Sequence, residues 1–191
     1  MKYFLFITIL FLFIGCEKPL SLDDIKEAKL KDKLDKKNGF REFILGTTKD
    51  SLDLSNLDCK NVLRSGQDNC YVINYEKYLG AVPIDNLNLT LEENILKEIH
   101  FTFPDEGNNQ DIISDIFSKE YGNPKFVDNK YISGFSLDWY GEHTTLSIIY
   151  QSGDDDFYVI FRSESVDKKI KKLQNDRYAR EHQKEGNKVK L

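Results

Sequence analysis

Histidine, cysteine, tryptophan and methionine are all scarce in this 191-residue chain, which holds three His, three Cys, one Trp and one Met. His100, His143 and His182 stand far apart with no pair at ligand spacing, which argues against a His-based metal site. There is no Gly-x-Ser-x-Gly elbow, no Walker loop and no Gly-x-Gly-x-x-Gly turn, so the common hydrolase, NTPase and dinucleotide readings lose their motifs. Basic residues are short in the middle of the chain: Gly39 to Phe161 carries nine Lys and Arg against twenty-one Asp and Glu. Phosphate binding needs clustered Lys and Arg, so nucleic acid is not an expected partner. Carboxylates are plentiful, yet the dense run Gly153-Asp154-Asp155-Asp156 lacks the spaced ligands and terminal Glu of a calcium loop. It reads as an acidic hairpin tip, and Asp105-Glu106-Gly107-Asn108-Asn109 reads the same way. No metal, cofactor or catalytic group is expected.

Long apolar runs are missing too, with one exception. Met1 to Cys16, MKYFLFITILFLFIGC, places Lys2 before an apolar stretch, Tyr3 to Ile14, that turns polar at Glu17. The stretch is short of the ~20 residues that span a bilayer and has the parts of a cleaved signal. Phe13-Ile14-Gly15-Cys16 resembles a bacterial lipobox with Phe13 in place of the usual Leu, which makes Cys16 the expected lipidation site and new N-terminus. The expected location is therefore the bacterial envelope, held to the membrane by the N-terminal lipid and facing the periplasm or cell exterior, with the outer membrane favoured. With Cys16 assigned, Cys59 and Cys70 are an even pair in an oxidising compartment and read as a disulfide rather than a metal pair.

The remaining 176 residues suit one domain. Residues 1–15 are read as signal, 16–38 as the lipidated N-terminus and a charged helical stalk, 39–175 as the domain, and 176–191 as a basic, disordered tail. Within 21–37 the apolar stripe is thin, and Ser21 with Asp24 can form a capping box. FREFIL, Phe40 to Leu45, reads as a strand. Leu87, Leu89 and Leu91 alternate with polar residues, Glu92-Glu93-Asn94 turns, and Ile95 to Phe103 returns, which makes an antiparallel hairpin. Ile112, Ile113, Ile116, Phe117 and Tyr121 share one helical face that ends at Gly122. Strands follow at 131–140, 144–151 and 157–162, then a helix capped by Ser165 that loses its apolar period after about Asp176. The expected fold class is α+β, an antiparallel sheet with helices packed on one face.

Gly39-Phe40-Arg41-Glu42-Phe43-Ile44-Leu45-Gly46-Thr47 resembles the GFRG-x-x-x-GT opening of a group of small bacterial envelope proteins, with Glu42 at the group's second Gly. In that group a hairpin is followed by a helix ending in Tyr-Gly-x-Pro and a strand with a Trp, matched in order by Tyr121-Gly122-Asn123-Pro124 and Trp139. The alternation of helix and three-stranded unit is more distantly similar to the BamE (SmpA/OmlA) lipoproteins and the β-lactamase inhibitor protein. Both kinds bind proteins and neither is an enzyme, so the resemblance implies an architecture and a binding role.

Strand parity names the candidate surface. If helices cover the face holding Phe101, Phe135, Leu137 and Trp139, the other face presents Glu98, His100, Asp138, Tyr140, Tyr158 and Arg162. Mixed Tyr, Arg and carboxylate suits a protein partner in the envelope better than a merely solvated face. The competing expectations are that the first helix or the tail covers it, or that scattered carboxylates make the protein a hydrolase.

Overall fold

The computed structural model describes residues 21–62, 67–129 and 133–188. The signal, Cys16, the first residues of the strand expected at 131–140 and the last three residues of the chain lie outside them. In chain order the elements are α1 (Leu22–Lys37), β1 (Gly39–Phe40), β2 (Phe43–Ile44), β3 (Leu57–Val62), β4 (Gln67–Val72), β5 (Tyr78–Leu79), β6 (Val82–Pro83), β7 (Asn86–Glu92) and β8 (Ile95–Pro104). There follow α2 (Asn109–Tyr121), β9 (Lys125–Asn129), β10 (Gly134–Tyr140), β11 (Thr144–Gln151), β12 (Asp156–Ser163) and α3 (Glu164–Lys188). Eight strands form one antiparallel sheet in the order β3-β4-β7-β8-β12-β11-β10-β9, and β1-β2 and β5-β6 are separate two-stranded hairpins. The α+β class and the single domain read from the sequence are what the chain adopts.

Period-two burial drives the central strands. Leu87, Leu89 and Leu91, Ile99, Phe101 and Phe103, Phe157, Val159 and Phe161, and Leu146 and Ile148 all point into one cluster. The β7–β8 turn sits at Glu93 and Asn94 with φ 52° and 60°, both left-handed, as a two-residue hairpin that follows the sheet's twist requires. On the cluster face α2 contributes Ile113, Phe117 and Tyr121 at four-residue spacing. The ring of Phe117 meets Trp139 and Phe161 edge-on at 6.0 and 6.1 Å, and Phe40 from β1 meets Phe101 at 4.4 Å. Trp139 is 2% exposed, and its Nε1–H donates to the carbonyl of Gly122.

The same face carries a ladder of rings: Phe103 and Phe157 (5.3 Å), Phe157 and Tyr150 (5.5 Å), Tyr150 and Phe135 (4.4 Å), then Phe135 and Phe126 (5.2 Å). Burial falls along it until Phe126, on the last strand, is 62% exposed. Cys59 and Cys70 face each other across β3 and β4 and are bonded, with Cα atoms 3.9 Å apart, closer than the ~5.5–6 Å that is commonest.

Four expectations need correction. The strand expected at Phe40 to Leu45 is instead the tight β1-β2 hairpin, because Arg41 takes a left-handed φ of 53° and reverses the chain. Arg41 is held there by bonds to the carbonyls of Glu76 and Tyr78 and an ion pair with Glu76. Strands β3 and β9, at the two sheet edges, were not foreseen.

The charged segment before residue 39 does not stand away from the domain. The capping box of Ser21 and Asp24 starts α1 as expected, but its second half is docked: Leu34 is 1% exposed, and Asp35 accepts the backbone N–H groups of His143 (2.9 Å), Thr144 (2.7 Å) and Glu142. Two glycines make room for it. A side chain on Gly122 would approach Leu30 to 2.8 Å, and one on Gly141 would collide with the Asp35 carboxylate. Burial alone would raise the pKa of Asp35, but the three N–H donors and the Thr144 hydroxyl outweigh it and hold the carboxyl below its ordinary range.

The basic stretch after Asp176 continues α3 to Lys188 rather than fraying. Val166 and Ile170 are buried at its start, and Gln174 to Glu92 and Arg177 to Glu93 tie down its middle.

Candidate functional site

The described helices reach only one face of the sheet. Leu34, Ile113, Phe117, Tyr121, Val166 and Ile170 all belong to the core cluster, and among the described residues Ile160 is the one buried apolar side chain outside it. Neither α1 nor the described part of the C-terminal tail is folded over the second face, whose Tyr140 is 44% and Tyr71 42% exposed. Register fixes this face in rows. One row runs Asn88, His100, Ile160, Ser147, Asp138, Lys125; the next runs Thr90, Glu98, Arg162, Thr145, Tyr140.

All six residues picked out from the sequence lie on this face, in two groups. On β8 and β12, Glu98 Oε1 accepts from Arg162 Nε at 3.0 Å, and the rings of His100 and Tyr158 lie 5.3 Å apart. Across β11, Tyr140 donates its hydroxyl hydrogen to Asp138 Oδ2 at 2.7 Å. Ile160, in the same row, and Asn88, directly opposite His100, also belong to the first group, and Asn88 is the one that the sequence reading does not name. Asn88 was legible from parity, as the polar partner of Leu87 and Leu89.

The electrostatics follow from this half-covered setting. Burial lowers the His100 pKa, and Arg162 adds to the effect while Glu98 opposes it, so the ring is neutral at neutral pH. Burial first, then the bond to Asp138, pushes the Tyr140 phenol up to about 12. Tyr158 is raised by burial and by Asp154, whose Oδ2 accepts its hydroxyl at 3.3 Å.

Among the described residues, three buried side-chain polar atoms lack a hydrogen-bond partner: Asn88 Oδ1, His100 Nε2 and Asp138 Oδ1. All three sit in one row of the uncovered face, and none is on the helix-packed side. No group of three His, Cys, Asp or Glu among the described residues is placed to hold a metal ion. None of the described helices is long and apolar enough to cross a membrane.

A cleft of about 470 Å³ opens beside this face, where β9 begins and the last residues of β10 have no outer neighbour. Its walls are the exposed half of α1, the Tyr121-Gly122-Asn123 corner after α2, and Asp138 to Tyr140. Three separated segments build it, so no local pattern announces it. Comparison with protein-family models, with curated proteins and with solved structures finds no match to this chain.

Proposed function

We propose that this is a non-enzymatic, lipid-anchored protein of the bacterial envelope that holds a protein partner on the open face of its sheet. The observation that supports this reading is the row of unpartnered polar atoms. A buried donor or acceptor left unmade costs about 1–3 kcal/mol, and Asn88 Oδ1, His100 Nε2 and Asp138 Oδ1 share one side of one sheet. A partner that brings hydrogen-bond groups to this row relieves a cost the free domain carries. Ile160 supplies an apolar centre, and Tyr140, Tyr158 and Arg162 are residue types that anchor interfaces.

A hydrolase built from these carboxylates fits less well. Glu98 and Asp138 lie on strands three spacings apart, roughly 14 Å at ~4.8 Å per spacing, beyond the ~5–10 Å at which paired carboxylates cooperate. Each is also engaged already, with Arg162 and with Tyr140.

Two experiments test the reading. Tyr140→Ala with Tyr158→Ala should leave the fold intact and reduce capture of an envelope partner by the native lipidated protein; undiminished capture by the folded double variant moves the interface elsewhere. Cys16→Ser should give unprocessed or soluble protein, since two acyl chains at ~0.8 kcal/mol per buried methylene suffice for stable anchoring. Membrane retention of a correctly cleaved Ser variant removes the anchor from the proposal.

A further inference from the structure

The cleft between α1 and the end of β10 shares Asp138 and Tyr140 with the open face but adds walls of its own. Its volume, about 470 Å³, lies within the range of small-ligand sites. Its charges cancel: Asp23, Glu27 and Asp138 face Lys26, Lys31 and Lys125. Two of these pairs are internal to α1, Lys26 with Asp23 at 3.9 Å and Lys31 with Glu27 at 2.8 Å. No net field draws an anion or a cation there. Acceptors and donors nonetheless alternate along the α1 wall at three- and four-residue spacing, and Asn123 adds an amide that does both.

The opposite wall is aromatic and apolar. Tyr140 is the accessible ring at 44% exposure, and Trp139 and Tyr121 also line the cleft. Asp138 completes the wall. One of its oxygens is taken by the Tyr140 hydroxyl, and the other is buried without a partner.

We propose that this cleft binds a neutral saccharide. A sugar ring matches each feature: an apolar C–H face for Tyr140, a hydroxyl hydrogen for Asp138 Oδ1, and further hydroxyls that both donate and accept for the Lys, Glu and Asn groups. A ligand of net charge finds no net attraction in a site of balanced charge, and a purely apolar one leaves Asp138 unsatisfied. The cleft's remaining wall, the exposed half of α1, is joined to the domain through Leu30, Leu34 and Asp35.

Trp139 is the only Trp in the chain, so its fluorescence reports on the cleft directly. Chitotetraose and cellotetraose are each titrated into the folded protein up to about 10 mM, tenfold above a ~1 mM Kd, with spermidine and inorganic phosphate as charged controls. The expected result is a saturable change with at least one oligosaccharide, insensitive to salt and absent with both controls. Tyr140→Ala, at an exposed position, and the isosteric Asp138→Asn should each weaken binding by about tenfold, the scale of one lost contact. Tyr158→Ala, on the open sheet face but outside the cleft, should leave it unchanged, which separates this site from the Tyr158 end of the proposed partner surface. No response to either oligosaccharide, a response only to a charged probe, or loss of binding in Tyr158→Ala overturns the proposal.

Discussion

Asp35→Ala removes the carboxylate that closes the β10–β11 turn and leaves three backbone N–H groups, of Glu142, His143 and Thr144, without their acceptor. The arrangement is chemically a helix N-cap made between distant segments, and losing such a cap costs about 0.5–2 kcal/mol. Three donors rather than one place this case near the top of that range. The site's partial exposure, which lets water replace some of the loss, keeps it from going higher. A loss of about 2 kcal/mol corresponds to a fall in melting temperature of roughly 4–8 °C for a domain of this size.

The effect carries a pH signature. Asp35 titrates below its ordinary value when folded, so its contribution is fully present above the unfolded value of about 3.9 and disappears as pH falls through the lower folded value. Asp35→Asn cannot titrate there. The stability difference between wild type and Asp35→Asn, from urea unfolding, should therefore be constant around neutral pH and shrink towards about pH 2.5. Amide exchange at Thr144 should quicken in both variants. A difference that does not change with pH, or an Asp35→Ala protein within about 0.5 kcal/mol of wild type, would refute the docking of α1 through this residue.

Other outcomes follow from packing and covalent structure. Trp139→Ala should cost about 3–5 kcal/mol by urea unfolding, and native emission should be blue-shifted, since the indole is 2% exposed. Reducing the Cys59–Cys70 bond, which spans 11 positions of sequence, should lower the urea midpoint by the equivalent of about 2–3 kcal/mol; an unchanged midpoint would mean the reduced chain keeps that loop closed in the unfolded state. Phe126→Ser, at the exposed end of the ring ladder, should change stability by under about 1 kcal/mol, whereas Phe135→Ala next to it should cost more than that. Equal effects at the two positions would show the edge strand to be packed rather than open.

Legibility tracked how local each determinant was. Leu87 to Phe103 reads as a hairpin because alternation, turn and return all lie within one stretch. The helix ending at Gly122 and the strands at 144–151 and 156–163 are legible for the same reason. Strands β3 and β9 are not, since each is short, sits at an edge, and mixes polar residues such as Asp58, Lys60 and Asp128 among few apolar ones. The docking of α1 was hidden because its decisive partners, Gly122, Gly141 and the β10–β11 turn, lie more than eighty residues downstream. Parity did place the six candidate residues on one face. What it could not show was that burial there is uneven enough to strand three polar atoms in a single row, which depends on the neighbours across five strands.

The sheet order has a consequence for how the chain is made. Strands β3, β4, β7 and β8 meander inward from one edge, α2 carries the chain across, and β9 to β12 meander inward from the other edge, so the two halves meet at the β8–β12 seam. Each meander can form from near neighbours soon after it is synthesised. The seam cannot, because Phe101 and Phe103 wait for Val159 and Phe157, among the last core residues to emerge. Until then the inner edge of β8, whose Ile99, Phe101 and Phe103 become fully buried, is an unpaired apolar strand of the kind that recruits other chains. A chain stopped before Asp156 should therefore aggregate rather than persist as a smaller domain, and a nascent chain of that length is the stage at which this protein most needs an escort.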